Sequence, residues 1–455
     1  MANNTAYKLP GRYTYRAIWK VTYPLLISFV MQQLLGMTDT AFLGRVGEIE
    51  LGASAVASVY YSTLFMLGLG FAIGAQIVIG RRNGEAVASG KGFEAIGGVF
   101  WQSVWFLLGL ALVTISLSYL LSPPLLKGIL SSEAIYGAAV TYVQWRIPGL
   151  LFSFMVALFR GFYVGITRTR TLTLNSIILV SSNILLDWVL IFGHWGMPAL
   201  GIQGAAMAST IAEGISLLFF IVWTICTADK KYALGRPERP VWSKLRTLLS
   251  TASWVMVENV LGVGIWLVFF LFIEHLGEEQ LAIANIIRST SGLPWVFTAA
   301  FGSSAATLIS NIIGEGQPEG VYPLLRRINL MCFWILVPLL LVFAIFPHLI
   351  IGIFTDIPEL VRNSVPTLLV MCGGTLITIP SYIYLQAVAG TGNTKPCLWI
   401  DLVCLGIYLV FCIVVIAILR CDIAICWLAD AVYGVALWAL SAHYLHRAKW
   451  QGKSV

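Results

Sequence analysis

The sequence predicts an all-α polytopic membrane protein. Of its 455 residues, 58% are hydrophobic and only 11% are charged, whereas soluble domains carry about 25% charged residues. Four stretches have no Asp, Glu, Lys or Arg, namely 95–126, 289–314, 328–355 and 363–394. Each is long enough for a helix of about 20 residues to cross a bilayer. A membrane β-barrel would show short alternating segments instead.

Twelve transmembrane helices account for the apolar segments. They are predicted at 16–43, 51–79, 95–121, 133–159, 171–192, 205–227, 245–273, 281–313, 321–346, 358–388, 397–419 and 423–446. Basic residues concentrate on the cytoplasmic side of membrane proteins. With both termini in the cytoplasm, 22 of the 28 Lys and Arg residues face that side, four face outside, and Arg146 and Arg288 fall inside spans. The net charge of +7 is then explained by anionic inner-leaflet lipid, without nucleic acid.

The two halves of the chain repeat each other. Three short motifs of the first half recur in the second: Gly47-Glu48 as Gly277-Glu278, Gly84-Glu85 as Gly314-Glu315, and Gly165…Thr169-Arg170 as Gly390…Thr394-Lys395. The first two recur at one constant separation and the third at a slightly shorter one, and such matches in the same order indicate duplication. The sequence therefore predicts two pseudo-symmetric six-helix bundles: an N-terminal lobe (1–228), a cytoplasmic linker (229–245), and a C-terminal lobe with a short cytoplasmic tail (246–455). Six helices return the chain to its starting side, so the repeats are parallel.

Three polar residues inside the spans of the first half predict a cation site. Asp39 is the one acid of the first helix, and a carboxylate in a bilayer costs roughly 2.5–3.5 kcal/mol. Asn183 and Asp187 are spaced i,i+4 on the fifth helix and therefore share a face. Two carboxylates and an amide suit a sodium ion or a shared proton, because close carboxylates resist being ionised together. The alternative is that Asn183 and Asp187 only hydrogen-bond between helices.

Other charged residues inside spans are secondary candidates. Glu258 on the seventh helix is interpreted as an auxiliary protonation site, or else as a protonated or ion-paired structural carboxyl. Glu213, Asp401 and Asp430 are weaker candidates, with an interfacial or capping role favoured for Asp401. Arg146 and Arg288 are interpreted as structural counter-ions.

Enzymatic chemistry is not predicted. The five His residues are scattered, and the sequence has neither a Walker motif nor a nucleotide-binding glycine loop. The eight Cys residues lie mostly in apolar runs without a CxxC pair, which is typical of buried free thiols. We therefore expect no cofactor, no ATP and no catalytic residues, and an ion gradient as the energy source.

At this point the sequence resembles the multidrug and toxic compound extrusion (MATE) family over nearly the whole chain. The resemblance is carried by Asp39-Thr40…Gly44, Gly84-Glu85, Gly314-Glu315, Asn183…Asp187 with Leu190-Ile191-Phe192-Gly193, and the segment 200–209. Asp39 with Asn183 and Asp187 looks like the DinF-like branch, which implies that these residues carry the cation. Ser209 falls where that branch often has Thr and keeps the hydroxyl. Glu258 matches an acid of the NorM-like branch, but the tenth helix lacks that branch's second acid.

The resemblance implies a secondary antiporter that exports amphipathic, often cationic organic compounds by alternating access, with H⁺ or Na⁺ bound at Asp39, Asn183 and Asp187. It implies a monomer in the inner or plasma membrane whose partners are small molecules and membrane lipids, not nucleic acid. One alternative is a lipid or lipid-linked glycan flippase of the same superfamily. That alternative would need a cationic cavity, whereas the spans hold six acids against two arginines. An intramembrane enzyme is the other alternative.

Overall fold

The computed structural model describes residues 13–227, 230–447 and 450, which fold into helices without a β-strand. The predicted C-terminal tail lies largely outside these residues. The helices are α1 (Tyr15–Val46), α2 (Glu48–Ser89), α3 (Glu94–Ile129), α4 (Glu133–Arg146), α5 (Gly149–Gly165), α6 (Arg170–Phe192), α7 (Ile202–Thr227), α8 (Trp242–Glu274), α9 (Glu278–Gly314), α10 (Val321–Ile345), α11 (Pro347–Ile351), α12 (Pro358–Gly390), α13 (Thr394–Cys412), α14 (Ile423–Cys426) and α15 (Leu428–Arg447).

The predicted all-α polytopic fold is confirmed. Among the described residues, ten helical segments are long and apolar enough to cross a membrane, and the bent pair α4–α5 gives an eleventh. The predicted seventh helix, 245–273, lies within the 33-residue α8. The predicted eleventh helix ends in one turn of π-helix, Ile413–Ile418.

The predicted fourth helix, 133–159, is divided into α4 and α5, which meet at an angle of 51°. Pro148 explains the break, because proline has no amide hydrogen and its ring displaces the carbonyl four residues earlier. That carbonyl belongs to Gln144, and it accepts a hydrogen bond from the Tyr119 hydroxyl at 2.8 Å. The bend therefore leaves no unpaired acceptor at Gln144.

The chain forms two compact units. The N-unit comprises Ile27–Val260, and the C-unit comprises Met1–Leu26 with Leu261–Val455. The division therefore falls within α1 and within α8. It does not fall at the predicted linker, 229–245, and the lobe boundaries drawn from the sequence stay a prediction.

Side chains of α3 hold the part of the linker that the structure describes. Trp101 donates from its indole nitrogen to the Leu234 carbonyl at 3.0 Å. Gln102 donates to the Arg239 carbonyl at 2.9 Å and accepts from the Val241 amide at 2.8 Å. These bonds make residues 234–241 part of the N-unit.

Glycines bring α2 close to two other helices of the N-unit. A Cβ at Gly70 would lie 2.6 Å from Met256 Cα, and one at Gly74 would lie 2.4 Å from Ala252 Cα, both on α8. A Cβ at Gly161 on α5 would lie 2.8 Å from the Ala72 carbonyl oxygen. Small residues permit such backbone approaches between membrane helices.

The duplication is visible inside each unit. The carbonyls of Gly47 and Gly277 each accept the amide hydrogen four residues later, both at 3.1 Å, and start α2 and α9. Gly165, at the end of α5, lies against the Gln76 carbonyl, and Gly390, at the end of α12, lies against Ala306. Gln76 and Ala306 are separated along the chain by the same interval as Gly47 and Gly277, so the repeat extends to packing contacts.

A carboxylate and amide cluster in the N-unit

The connection between α6 and α7 fixes the spacing of the two helices that carry most of the cluster. Gly193 ends α6 in the left-handed conformation, with φ of 76°, which glycine adopts without strain. The chain then turns back, and the Leu200 amide donates to the Leu190 carbonyl at 2.9 Å. A Cβ at Gly204 would lie only 2.5 Å from that same carbonyl oxygen. The glycine thus allows α7 to approach α6, and Ser209 faces Asn183.

Asn183 is the centre of the cluster. One end of its amide lies 2.9 Å from Asp187 Oδ2 and 3.0 Å from Asp39 Oδ1, and the other end lies 3.2 Å from Ser209 Oγ. Asp39 and Asp187 are also within hydrogen-bonding reach of each other. The structure therefore brings together the four residues, from α1, α6 and α7, that the sequence singled out for the cation.

Two orientations of the Asn183 amide fit these distances. With its nitrogen inward, the amide donates to both carboxylates and its oxygen accepts from Ser209. With its oxygen inward, it joins the two carboxylates as a third oxygen ligand, and its nitrogen donates to Ser209 Oγ at 3.2 Å. A hydroxyl is both donor and acceptor, so Ser209 serves either orientation. The cluster is chemically suited to a proton shared between acids or to a sodium ion held by oxygens.

The cluster is closed on one side. Asn183 and Asp187 are fully buried and Ser209 is 5% exposed, whereas Asp39 is partly exposed. Asp187 Oδ1 is buried and receives no hydrogen bond from the residues that the structure describes. A buried, unsatisfied carboxylate oxygen is costly, so this atom is chemically suited to accept a proton or a cation.

An ion pair lies on the helices next to the cluster. Arg146, the last residue of α4, forms two hydrogen bonds with the Glu213 carboxylate of α7, one of them 2.8 Å from Nη1 to Oε2. The Arg146 guanidinium lies 3.8 Å from the centre of the Tyr61 ring. Arg146 is predicted from the sequence to be a structural counter-ion, and in the structure its partner is Glu213. The sequence shows both charges within spans but not that the two are paired.

The remaining acids lie elsewhere. Glu258 is partly buried on α8 and belongs to the N-unit. Its auxiliary protonation role stays a prediction. Asp401 is buried in α13 and accepts from the Tyr433 hydroxyl at 2.6 Å, whereas Asn393 is the residue at the N-cap of α13. Asp401 therefore does not cap α13, so that part of the prediction is wrong, and the interfacial role stays a prediction.

The C-unit has an apolar residue at the position that corresponds to Asp39. Phe269 follows Asp39 by the same interval that separates Gly47 from Gly277, and it is 3% exposed in a hydrophobic core cluster. Its ring makes an edge contact with Trp427 at 5.5 Å between ring centres. The equivalent place in the duplicated framework is thus filled by aromatic packing.

A family model described as MatE matches residues 24–189 and 255–414, more than two thirds of the chain. The chain belongs to the MatE family. A relative from Thermotoga maritima, named probable multidrug resistance protein NorM, is 26% identical over 384 residues, which cover 83% of this chain and 80% of the relative. A protein of the same name from Rhizobium meliloti is 25% identical and covers 75% of this chain and 72% of the relative. Members of this family are transporters, and the chain is a multi-pass membrane transporter, not an enzyme.

Solved structures agree in fold. An outward-facing multidrug resistance MATE family transporter of the MOP superfamily has a TM-score of 0.86 at 15% identity and covers 98% of this chain and 100% of its own. A MOP superfamily transporter from Pyrococcus furiosus has a TM-score of 0.83 at 14% identity with the same coverage. The expected MATE family membership is confirmed, and assignment to the DinF-like branch stays a prediction.

Proposed function

We propose that this MatE-family chain is a secondary antiporter that exports amphipathic, often cationic organic compounds in exchange for H⁺ or Na⁺. The names of the Thermotoga and Rhizobium relatives, probable multidrug resistance protein NorM, support small organic compounds as substrates. The cation binds at Asp39, Asn183 and Asp187, with Ser209 orienting the amide.

The observation that carries this proposal is the buried, unpartnered oxygen of Asp187 beside a second carboxylate. Two close carboxyl groups in an apolar surrounding resist being ionised together, so one of them takes up a proton or a cation binds between them. Binding of the coupling ion removes that charge, and its release restores it. A cationic compound is attracted to the cluster after release and loses that attraction when the ion returns.

Movement of the Asn183 amide accompanies ion binding in this proposal. A proton shared by the acids is compatible with the nitrogen-inward orientation, because both carboxylates then accept from the amide. Sodium requires an oxygen ligand and therefore the oxygen-inward orientation. The Ser209 hydroxyl donates to the amide oxygen in the nitrogen-inward orientation and accepts from the amide nitrogen in the oxygen-inward orientation.

We further propose that the protein acts as a monomer in the inner or plasma membrane with both termini in the cytoplasm. The distribution of basic residues supports this orientation. Neither ATP nor nucleic acid takes part, and no resident cofactor is required. The flippase alternative is disfavoured because Arg146, one of two arginines predicted within spans, has its charge matched by Glu213.

The proposal is tested by gradient-driven efflux in everted vesicles with Asp39→Asn and Asp187→Asn. Each change removes a charge while keeping the side-chain size, so we expect loss of most ion-driven efflux at normal expression. Asp356→Asn is the matched control, because Asp356 is exposed and outside the cluster. Undiminished efflux in both cluster variants would refute the site. Proteoliposomes given only a Na⁺ gradient, and then only a pH gradient, identify the coupling ion.

A further inference from the structure

Contacts from four helices hold the ion pair of Arg146 and Glu213. Both guanidinium ends bond to the carboxylate, and bidentate geometry fixes their relative orientation. The Tyr61 hydroxyl lies 2.6 Å from Ser153 Oγ and donates to Glu213 at 3.2 Å, while the Tyr61 ring covers the guanidinium. The pair is thus fixed from α2, α4, α5 and α7.

Gly149 leaves the room that the pair occupies. A Cβ at this first residue of α5 would lie 2.5 Å from Arg146 Nη1 and 2.8 Å from Glu213 Oε2. The space arises at the bend between α4 and α5, where Pro148 interrupts the helix. A side chain at position 149 would push directly on both charges.

The ion pair is one helical turn from the cation cluster. Ser209 and Glu213 are spaced i,i+4 on α7 and share a face, and Ser209 contacts Asn183. Because the Asn183–Ser209 contact and the Arg146–Glu213 pair lie on consecutive turns of α7, the Arg146 charge lies near the Asp39 and Asp187 carboxylates. Among the residues that the structure describes, the ionisable groups near Arg146 are Tyr61 of α2, Tyr142 of α4, Glu213 of α7, Asp39 of α1 and Asp187 of α6.

We propose that Glu213 withholds Arg146 from the cation cluster, and that this pair sets how strongly Asp39 and Asp187 bind the coupling ion. This inference rests on the proposed antiport function. Arg146 is a permanent cation, since its guanidinium keeps its proton in proteins. With Glu213 as its partner, its charge is matched, and the two acids of the cluster remain available. Arg146 and Glu213 are thus positioning residues that do not touch the transported ion.

The proposal predicts the direction in which loss of the Glu213 charge changes binding of the coupling ion. Glu213→Gln leaves Arg146 without its carboxylate partner in a water-poor surrounding, where an unpaired charge is costly. Among the described residues, Asp39 and Asp187 are then the acids left near the Arg146 guanidinium. Arg146 acts as a tethered competitor of the coupling ion, and the concentration of ion needed for half-maximal transport rises. Removing Arg146 as well removes the competitor.

The experiment measures transport in proteoliposomes over a range of Na⁺ concentrations and external pH. For Glu213→Gln we expect the half-saturating concentration of the coupling ion to rise at least tenfold. For the double variant Arg146→Gln with Glu213→Gln we expect a return to within threefold of the unchanged protein. Glu133→Gln and Arg362→Gln, both at exposed positions, are the controls and should leave the value unchanged.

The outcomes separate the two proposals. Absence of any ion-driven transport by the unchanged protein would refute the proposed function. Ion-driven transport whose half-saturating concentration is unaffected by Glu213→Gln would refute this inference alone, and so would a double variant as impaired as Glu213→Gln. If Glu213→Gln does not fold, Gly149→Ala replaces it. That substitution displaces the pair by contact, and an unchanged ion dependence in it overturns the inference.

Discussion

The approach of α7 to α6 at Gly204 can be tested with one added methyl group. In Gly204→Ala the new Cβ would lie 2.5 Å from the Leu190 carbonyl oxygen. Ordinary contact begins near 3.4 Å, so the two helices must separate by about 0.9 Å. The obstructing atom belongs to the backbone, so rotation of a side chain cannot relieve the clash. Overpacking of this kind costs about 1–3 kcal/mol.

In Gly204→Ala, the separation of α6 and α7 should extend to the cation cluster. Ser209 lies five residues beyond Gly204, and Asn183 lies seven residues before Leu190, which is about 8–10 Å along each helix. A rigid separation of the helices would lengthen the Asn183–Ser209 contact from 3.2 Å to about 4.1 Å, beyond a hydrogen bond. Loss of that bond costs about 1 kcal/mol, so the coupling ion should bind about fivefold more weakly.

Two measurements on purified Gly204→Ala check this reasoning: the temperature of unfolding and the half-saturating ion concentration for transport. We expect the first to fall and the second to rise. Gly109→Ala is the matched control, because a Cβ at Gly109 on α3 has no atom within 4 Å. A Gly204→Ala protein with unchanged ion dependence would show that the α6–α7 spacing does not position the site.

Two further predictions follow from contacts already described. Ser209→Ala should raise the half-saturating ion concentration about fivefold, the effect of losing one hydrogen bond of about 1 kcal/mol. Ser209→Thr keeps the hydroxyl and should give the value of the unchanged protein. Equal values for Ser209→Ala and the unchanged protein would argue against an orienting role. Gly390→Ala should lower the unfolding temperature, since its Cβ would lie 2.5 Å from the Ala306 carbonyl oxygen and overpacking costs about 1–3 kcal/mol. Gly373→Ala, whose Cβ has no atom within 4 Å, should not lower it, and similar losses in both would contradict the packing argument.

The sequence reveals Asp39, Asn183 and Asp187 because a polar group in an apolar span is conspicuous. Ser209 follows from family resemblance, since hydroxyls are common in membrane helices. The structure brings all four together. Their roles in cation binding stay a prediction.

The pairing of Arg146 with Glu213 depends on tertiary structure. The two residues are 67 positions apart, on helices whose rotation about their own axes is set by packing. A charge within a span shows that a partner is needed, but it does not show which one. The orientation of the Asn183 amide is likewise decided by neighbours from three helices.

Composition also does not show how the predicted linker is held. Gly235, Pro237 and Pro240 make 229–245 resemble a flexible linker, yet Trp101 and Gln102 bind its carbonyls and an amide. Hydrogen bonds to backbone groups can order a segment whose own residues favour no helix or strand. Such partners lie more than a hundred residues away in the chain.

Because the two units divide within α1 and within α8, the segments that join them are helical. At both crossings the chain passes from one unit to the other within a continuous helix and not within a loop. Pro24 lies two residues before the crossing in α1 and Gly262 two residues after the crossing in α8, and such residues weaken a helix locally. Asp39 lies thirteen residues beyond the crossing in α1, about 20 Å along the same helix. Asp39 and Pro24 thus lie on one continuous helix, so the backbone that carries Asp39 in the N-unit is the same backbone that Pro24 weakens in the C-unit.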